Sequence, residues 1–265
     1  MAIFKTPGQI RIGTSGWIYR HRRGVFYPPD LPVGHWFAFY AKHFDTVEIN
    51  NTFYRLPDVE TFVDWRRQAP AGFVYAVKAS RFLTHMKKLN DPEEPLARIL
   101  GGARKLGRHL GPVLYQLPPH WGCNLERLRQ FIALLPSALT HVFEFRDTSW
   151  FNEDVRALLT QAGIGFCIHD LRGFRCPAWV TGRAVYIRFH GSTGVAYAGR
   201  YGLPHLRRWA GQIREFRGAG HHVYVYFNND DRGYAVENAR RLRGLLEERP
   251  AVQLGPKGTA VAKES

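Results

Sequence analysis

Eight short runs rich in Val, Ile, Phe and Tyr recur along this sequence, and a helical pattern follows nearly every one. Gly, Pro or Asp residues bound each run, as expected for β-strands. The runs are Ile10–Thr14, Thr46–Asn50, Phe73–Ala79, Pro112–Leu117, His141–Arg146, Gly165–Asp170, Ala184–His190 and His222–Asn228. Strands that alternate with helices pair in parallel, because each return needs a crossover. Eight such units predict a closed α/β barrel of the TIM type. An open doubly wound sheet is the second choice, although no GxGxxG follows the first run.

Helix signals separate most of these runs. Asn124 and Asn152 are predicted to cap helices, and Gly163 to end the second of these. The segment after the sixth strand, Leu171–Arg183, contains Gly and Pro and little helical periodicity, so we expect an incomplete helical layer there. The sequence therefore predicts one barrel domain over residues 1–249, followed by a flexible tail over residues 250–265.

Charge and cysteine content narrow the class of protein. The 37 basic residues exceed the 22 acidic ones, for a net charge of +15, and only eight of the 37 are lysines. Arginine binds phosphate and carboxylate with a planar fork of donors, so an anionic partner is expected, although GC-rich coding alone produces the same composition. The three separated cysteines, the missing apolar span and the missing leader pattern predict a cytoplasmic protein without membrane contact.

Polar residues stand at the end of seven of the eight predicted strands. They are Glu48 and Asn50, Lys78, Gln116, Glu144 and Arg146, His169 and Asp170, Arg188 and His190, and Asn228 with Asn229. In a barrel these ends meet at one mouth, and alternation puts residues two apart on the same face. Such a cluster is costly to desolvate unless its charges pair or bind a ligand. A structural layer of ion pairs, satisfied histidines and capping amides is the alternative.

Several of these segments resemble a known family, the YecE-like proteins. The resemblance lies in Gly13–Trp17, Val47–Tyr54, Val77–Ser80, Gln116–Pro119, Glu144–Arg146 with Ser149–Trp150, Tyr186–Gly191 and Tyr226–Asp230. It runs from about Ile10 to Leu246 and implies a TIM-barrel-like fold without implying an activity. The cleft of that family has been likened to the cleft of apurinic-site endonucleases, which is an analogy of fold.

We expect an enzyme of the hydrolase or lyase type that acts on an anionic substrate, such as a phosphorylated sugar or a nucleic acid. Glu48 and Glu144 are the predicted acid/base pair, His190 the proton shuttle, and Asp170 the fourth catalytic group. The predicted substrate-binding residues are Asn50, Tyr54, Lys78, Gln116, Arg146, Arg188, Gly191, Asn228 and Asn229. Gly191 opens a loop after strand seven, where barrels often bind phosphate. The cofactor is unknown.

Three alternatives stay open. A nucleic-acid-binding module would use the basic runs Arg20–Arg23, Arg104–His109 and Arg207–Arg217, with Trp17, Phe53, Tyr54, Tyr197 and Tyr201 as base-stacking aromatics. A metal-dependent enzyme would draw on His169, Asp170, His190, Glu48, Glu144 and Asp230, although no metal-ligand spacing is present and no metal is predicted. A glycosidase would use the two glutamates, but the arginines suit an anion better than a neutral sugar.

Overall fold

Eight parallel strands form the barrel of the computed structural model, which describes residues 6–171, 174–193, 195 and 197–248. The strands are β1 (Ile10–Thr14), β2 (Thr46–Ile49), β3 (Val74–Lys78), β4 (Leu110–Gln116), β5 (His141–Glu144), β6 (Gly165–His169), β7 (Ala184–Phe189) and β8 (His222–Phe227). All neighbours pair in parallel, in the order β1-β8-β7-β6-β5-β4-β3-β2. The predicted TIM-type fold is confirmed, and every strand lies within about two residues of its predicted bounds.

The seam between β1 and β2 closes the ring with a short contact. A single bridge joins Ser15 to Glu48, and the Gly16 N–H donates to the Glu48 carbonyl at 2.8 Å. A methyl group on Gly13 would lie 2.2 Å from the Thr46 carbonyl oxygen, closer than atoms can approach. Glycine at position 13 therefore lets β1 and β2 come together.

Helices cover the outside of the ring. Those in the described residues are α1 (Trp36–His43), α2 (Asn51–Tyr54), α3 (Val59–Gln68), α4 (Glu93–Arg104), α5 (Leu125–Ala133), α6 (Glu153–Ala162), α7 (Leu203–Gly218) and α8 (Tyr234–Glu247). The predicted caps are present: Asn124 accepts from Arg127 N, Asn152 accepts from Val155 N, and Gly163 ends α6 with φ +67°. A π-helical turn, Phe82–Met86, and four 3₁₀ turns complete the helical structure of the described part.

The helical layer is incomplete after β6, as the sequence predicts. The described residues between β6 and β7 contain no helix, and the Trp179 ring packs 5.0 Å from that of Phe166 instead. Residues 172 and 173 of this segment, and the predicted tail 250–265, lie outside the described residues. No helix in the described part is long and apolar enough to cross a membrane.

Two apolar layers lie on the two faces of the strands, and together they fix the position of the site. The larger layer lies between strands and helices, and the smaller one fills the barrel interior. The interior layer consists of Ala76, Leu114, Val142, Cys167, Tyr186 and Tyr226. Side chains alternate along a strand, so each of these residues precedes, by two positions, the next inward side chain. The inward residues of the following layer are therefore polar, and they begin at the carboxyl ends of the strands.

Candidate functional site at the barrel mouth

Arg188 lies at the centre of the polar layer and joins three strands. Its guanidinium donates to Glu48 Oε1 at 2.7 Å, to Glu144 Oε2 at 2.5 Å and to Gln116 Oε1 at 3.3 Å. The side chains of Arg188 and both glutamates are fully buried. A buried guanidinium between two carboxylates keeps all three charged, since each charge compensates the others in a medium of low dielectric.

Glu48 receives two further hydrogen bonds from hydroxyl groups. Ser15 Oγ donates to Oε1 at 2.5 Å and Tyr186 OH donates to Oε2 at 2.6 Å. These donors satisfy both oxygens, so the carboxylate stabilises the seam between β1 and β2 and holds Arg188. Glu48 contributes no exposed surface to a ligand cavity.

Glu144 binds a second arginine above the first. Arg146 Nε donates to Glu144 Oε1, while the other oxygen of Glu144 accepts from Arg188. The pKa of Glu144 lies well below its usual range, because Arg146 and Arg188 together outweigh the effect of burial, which acts in the opposite direction and is the largest single cause. Glu144 is therefore a fixed carboxylate near pH 7.

His190, directly after β7, supports Arg146, which follows β5 on the other side of β6. Its Nε2 lies 3.0 Å from an Arg146 guanidinium nitrogen and 3.3 Å from Glu144 Oε1. Burial, followed by the charge of Arg146, holds the pKa of His190 well below its usual value. The ring is neutral near pH 7, so Nε2 accepts from Arg146. The lowered pKa of His190 disfavours the charge change near neutral pH on which the expected proton shuttle depends.

Asp170 belongs to a separate network behind His190. It accepts from the His190 N–H at 2.8 Å and from Tyr201 OH, and the Gly191 N–H donates to the same hydroxyl at 2.7 Å. Burial raises the pKa of Asp170 to about 6, against the opposing hydrogen bonds from Tyr201 and His190. The Gly191 N–H is thus occupied by Tyr201, so it is not free to bind a phosphate in this arrangement.

Lys78 is a buried basic group of the mouth that has no carboxylate partner among the described residues. It is 5% exposed, and its Nζ lies 3.8 Å from the centroid of the Phe53 ring. No carboxylate in the described residues lies within 4.0 Å of its Nζ, because both nearby glutamates are bound to arginines. Burial, and then the charge of Arg188, lowers the pKa of Lys78 to about 7. Roughly half of this amine is therefore uncharged at neutral pH.

A cavity of about 380 Å³ opens above this layer. Among the residues that the structure describes, its lining contains the basic residues Lys78, Arg81 and Arg146 but no Asp or Glu. The other lining residues are Phe53, Tyr54, His85, Gln116, Pro119, Leu171, Phe174 and Tyr197. The His85 ring packs edge-on against Phe53, 5.0 Å away, and burial, followed by Lys78, lowers its pKa to about 4. The cavity therefore presents aromatic walls, a neutral imidazole and an excess of positive charge.

The structure places the predicted site residues in different parts of the barrel mouth. Lys78, Gln116, Arg146 and Tyr54 line the cavity, whereas Glu48, Glu144, Arg188 and His190 lie in the polar layer around and beneath it. Asn228 lies beside His190, with its Nδ2 3.4 Å from His190 Nδ1, and Asn50 lines a neighbouring cavity of about 220 Å³. Asn229 is fully buried and donates to the Gly199 carbonyl and to Asn238, so it holds a loop in place.

Three of the five aromatic residues predicted to stack on bases are buried. Trp17, Phe53 and Tyr201 are only 6%, 7% and 2% exposed, because each packs into the protein interior. Tyr54 and Tyr197 are exposed, at 74% and 44%, and both lie on the rim of the cavity. The stacking surface expected of a nucleic-acid-binding module is therefore reduced to two rings.

The basic run Arg20–Arg23 is also partly internal. Arg22 is fully buried, and its Nε donates to Asp230 Oδ2 at 2.9 Å, while His21 contacts the same oxygen at 2.8 Å. Asp230, one of the candidate metal ligands, is thus bound by the guanidinium of Arg22 and contacted by the ring of His21. No group of three His, Cys, Asp or Glu residues suited to a metal ion occurs in the part of the chain that the structure describes.

Several residues that shape the cavity are not among those predicted from the sequence. Arg81 and His85 follow β3 by three and seven positions, and the π-helical turn that turns His85 toward Phe53 has no recognised sequence signal. Ser15 could have been found, because alternation from Gly13 places it on the inward face at the end of β1. Phe174 reaches the cavity from the irregular segment after β6, where no periodicity guides a prediction.

The ring of parallel strands and its charged inner layer define a TIM-type barrel protein with a cationic cavity at the carboxyl ends of the strands. The family model described as "Protein of unknown function DUF72" matches residues 11–261, and the chain belongs to this family.

Comparison with curated proteins confirms the YecE-like resemblance. The UPF0759 protein YunF of Bacillus subtilis (strain 168) is 24% identical over 274 residues, which cover 90% of this chain and 95% of YunF. The UPF0759 protein YecE of Escherichia coli (strain K12) is 30% identical over 139 residues, which cover 50% of this chain and 51% of YecE.

Solved structures of the same family share the fold. A DUF72 family protein from Thermotoga maritima superimposes with a TM-score of 0.79 and 29% identity, covering 91% of this chain and 100% of the other. A second, from Enterococcus faecalis, gives a TM-score of 0.75 at 19% identity, covering 91% of this chain and 96% of the other. The latter likeness supports the fold alone.

Proposed function

We propose that this protein is an enzyme of the hydrolase or lyase type that acts on an anionic substrate, phosphorylated compounds included, in the cavity at the barrel mouth. One observation carries the proposal: the described residues that line the cavity include Lys78, Arg81 and Arg146 and no acidic residue. An uncompensated excess of positive charge in a semi-enclosed site favours an anion and concentrates it there.

The two arginines have different roles in this proposal. Arg146 is buried and fixed by Glu144 and His190, so it presents its guanidinium in one orientation. Two of its nitrogens are engaged by Glu144 and His190, so the cation is held in place and little conformational entropy is lost when an anion binds beside it. Arg81 is exposed at the rim and adds charge without such fixation.

Lys78 supplies the chemistry in this proposal. A lysine that is about half deprotonated near pH 7 can accept a proton from a substrate and return it at the same pH. Glu48 and Glu144 act through their hydrogen bonds: they fix Arg188 and Arg146 and so set the electrostatic field around Lys78. This role replaces the direct acid/base role that the sequence suggests for them.

Two exposed arginines provide a matched test of anion binding. Arg81 lines the cavity, whereas Arg207 lies exposed on the outer helix α7, and both can be changed to Gln without opening the core. Titration with inorganic phosphate, followed by phosphorus NMR, should show weaker binding for Arg81→Gln and unchanged binding for Arg207→Gln. Arg146→Met should weaken binding at least tenfold, or about 1.4 kcal/mol.

Turnover is tested with a panel of sugar phosphates, again followed by phosphorus NMR. The wild-type protein should convert at least one member, and Lys78→Met should not. The proposal fails if phosphate binds all variants equally or does not bind, or if Lys78→Met retains the wild-type rate on a substrate that is turned over.

A further inference from the structure

We propose that Lys78 is a nucleophile that forms an imine with a small aldehyde or ketone carrying a carboxylate or phosphate group. This inference rests on the proposed function, because it assigns a reaction to the same cavity and narrows the substrate class. It goes further in making the amine a covalent participant rather than a proton acceptor.

The first support is the position of the amine. Lys78 ends β3 and is 5% exposed, and the surface that it retains faces the 380 Å³ cavity. Its Nζ contacts the Phe53 ring rather than a carboxylate. A structural lysine buried to this degree is normally paired with an acid, because an isolated buried charge is costly. An unpaired amine that faces a cavity is the arrangement expected of a nucleophile.

The second support is the charge around the amine. The charged groups that act on it are Arg188 from β7, Glu48 from β2, Glu144 at the end of β5 and Arg146 two residues beyond it, while Arg81 and His85 share its cavity from the segment after β3. The two glutamates are balanced by Arg146 and Arg188, and Arg81 adds a further positive charge at the cavity. Burial and the like charge of Arg188 therefore favour the uncharged amine, which is the form that attacks a carbonyl.

The third support is the shape of the cavity beyond the amine. Arg146 and Arg81 share the cavity with Lys78, and the aromatic side chains of Phe53, Tyr54, Phe174 and Tyr197 line the remainder. A ligand with a carbonyl at one position and an anionic group at another could contact both the amine and an arginine. The ligand class follows from this pairing: a small oxo acid or a phosphorylated aldehyde or ketone.

The reaction balances without an oxidant or reductant. The lone pair of Nζ attacks the carbonyl carbon, a C–N bond forms, and the carbonyl π electrons move to the oxygen, which takes a proton. Nζ then loses a proton, the hydroxyl leaves as water with a further proton, and a C=N bond remains. The imine draws electrons from the adjacent carbon, so it favours cleavage or proton exchange there, which is lyase-type chemistry.

Reductive trapping on the full chain tests this directly. Pyridoxal 5′-phosphate serves as the phosphate-bearing aldehyde and pyruvate as the carboxylate-bearing ketone, each with borohydride reduction and peptide mapping by mass spectrometry. At pH 7, Lys78 should be labelled at least tenfold faster than the half-buried Lys87, which is paired with Asp91. Pyridoxal without the phosphate should label Lys78 at least tenfold more slowly than its phosphate ester. Preferential trapping of either anionic probe supports the inference, and the pair distinguishes phosphate from carboxylate.

The pH profile and two variants separate a nucleophile from a structural lysine. Labelling of Lys78 should reach half its maximum near pH 7, because burial lowers the pKa of its amine. Lys78→Met should remove the preferred adduct, and Lys87→Met should leave it unchanged. Lys78→Arg retains the charge and checks that the cavity remains intact through phosphate binding.

Two outcomes would overturn the inference. Labelling spread over Lys42, Lys87 and Lys105 without excess at Lys78 refutes the imine, and so does a Lys78 profile that matches that of the exposed lysines. If phosphate binding then still depends on Arg81 and Arg146, the anion-binding cavity of the proposed function stands and only the covalent step falls. If neither trapping nor phosphate binding occurs, both proposals fall.

Discussion

Arg188 on β7 donates a 2.7 Å hydrogen bond to Glu48 on β2, across the barrel interior and 140 positions away along the chain. Since Glu48 also forms the bridge to Ser15 that closes the ring, one carboxylate serves both the seam and the floor of the cavity. The stability of the barrel and the electrostatics of its mouth are therefore linked at this residue.

Removal of the central guanidinium should destabilise the fold strongly. Arg188→Met leaves Glu48 and Glu144 buried without their shared partner, and we expect a loss of about 3–5 kcal/mol in the free energy of unfolding. Urea denaturation measures it. The double variant with Glu48→Gln should recover part of the loss, because Glu48 has no second arginine partner in the described residues, whereas Glu144 keeps Arg146. Arg207→Met on the surface should change stability by no more than about 0.5 kcal/mol.

Lys78→Met should raise stability near neutral pH, and the gain should shrink as the pH rises. The pKa of Lys78 is lowered from 10.5 to about 7, so between these values the unfolded chain binds more protons and wild-type stability increases with pH. Thermal unfolding between pH 6 and 10 checks this, since each kcal/mol of stability shifts the melting temperature by about 2–4 °C. Lys87→Met is the control, with no pH-dependent gain. A constant difference between Lys78→Met and wild type would contradict the lowered pKa.

Asp170 should make the stability of the wild-type protein fall, rather than rise, as the pH increases in the acidic range. Burial raises its pKa from 3.8 to about 6, so the folded state binds more protons in that window and stability falls as the pH rises through it. Relative to Asp170→Asn, wild type should lose about 2–3 kcal/mol between pH 4 and 6. Tyr201→Phe removes a hydrogen bond to the carboxylate and should move this loss to higher pH. Parallel profiles for wild type and Asp170→Asn would refute the assignment.

The close contact between β1 and β2 leads to a prediction for a substitution at Gly13. Gly13→Ala places a methyl group against the Thr46 carbonyl, so β1 and β2 must separate, and we expect a loss of about 2 kcal/mol or more. Gly211→Ala in α7 meets nothing within 4 Å and should leave stability unchanged or raise it by up to about 1 kcal/mol. Chemical denaturation of the two variants makes the comparison. Equal stabilities would show that the seam tolerates the methyl group.

Much of the fold could be predicted from sequence because two periodicities are strong in this chain. Runs such as Ala184–His190 alternate between the barrel interior and the helical layer, and caps such as Asn152 mark where helices begin. Alternation also predicted that Glu48, Glu144 and Arg188 share a face. It could not predict the pairing among them, because pairing depends on the stagger of neighbouring strands and on the reach of long side chains.

Sequence patterns could likewise not predict which polar residues line the cavity and which are buried beneath it. Glu48 and Lys78 both stand at strand ends, yet Glu48 is capped by Ser15 and Tyr186 while Lys78 is left facing the cavity. Nothing local distinguishes the two positions. The contribution of His85 depends on a π-helical turn, and that of Phe174 on an irregular segment, so neither carries a periodic signal.

The double role of Glu48 has a consequence for folding order. Until β1 and β2 have met and the ring is shut, Arg188 lacks one of its two carboxylates, and the burial that lowers the pKa of Lys78 is incomplete. A partly assembled barrel would hold an ordinary protonated lysine. If Lys78 is the nucleophile proposed above, its reactivity therefore requires the closed ring, and an open chain is protected from adduct formation by its own geometry.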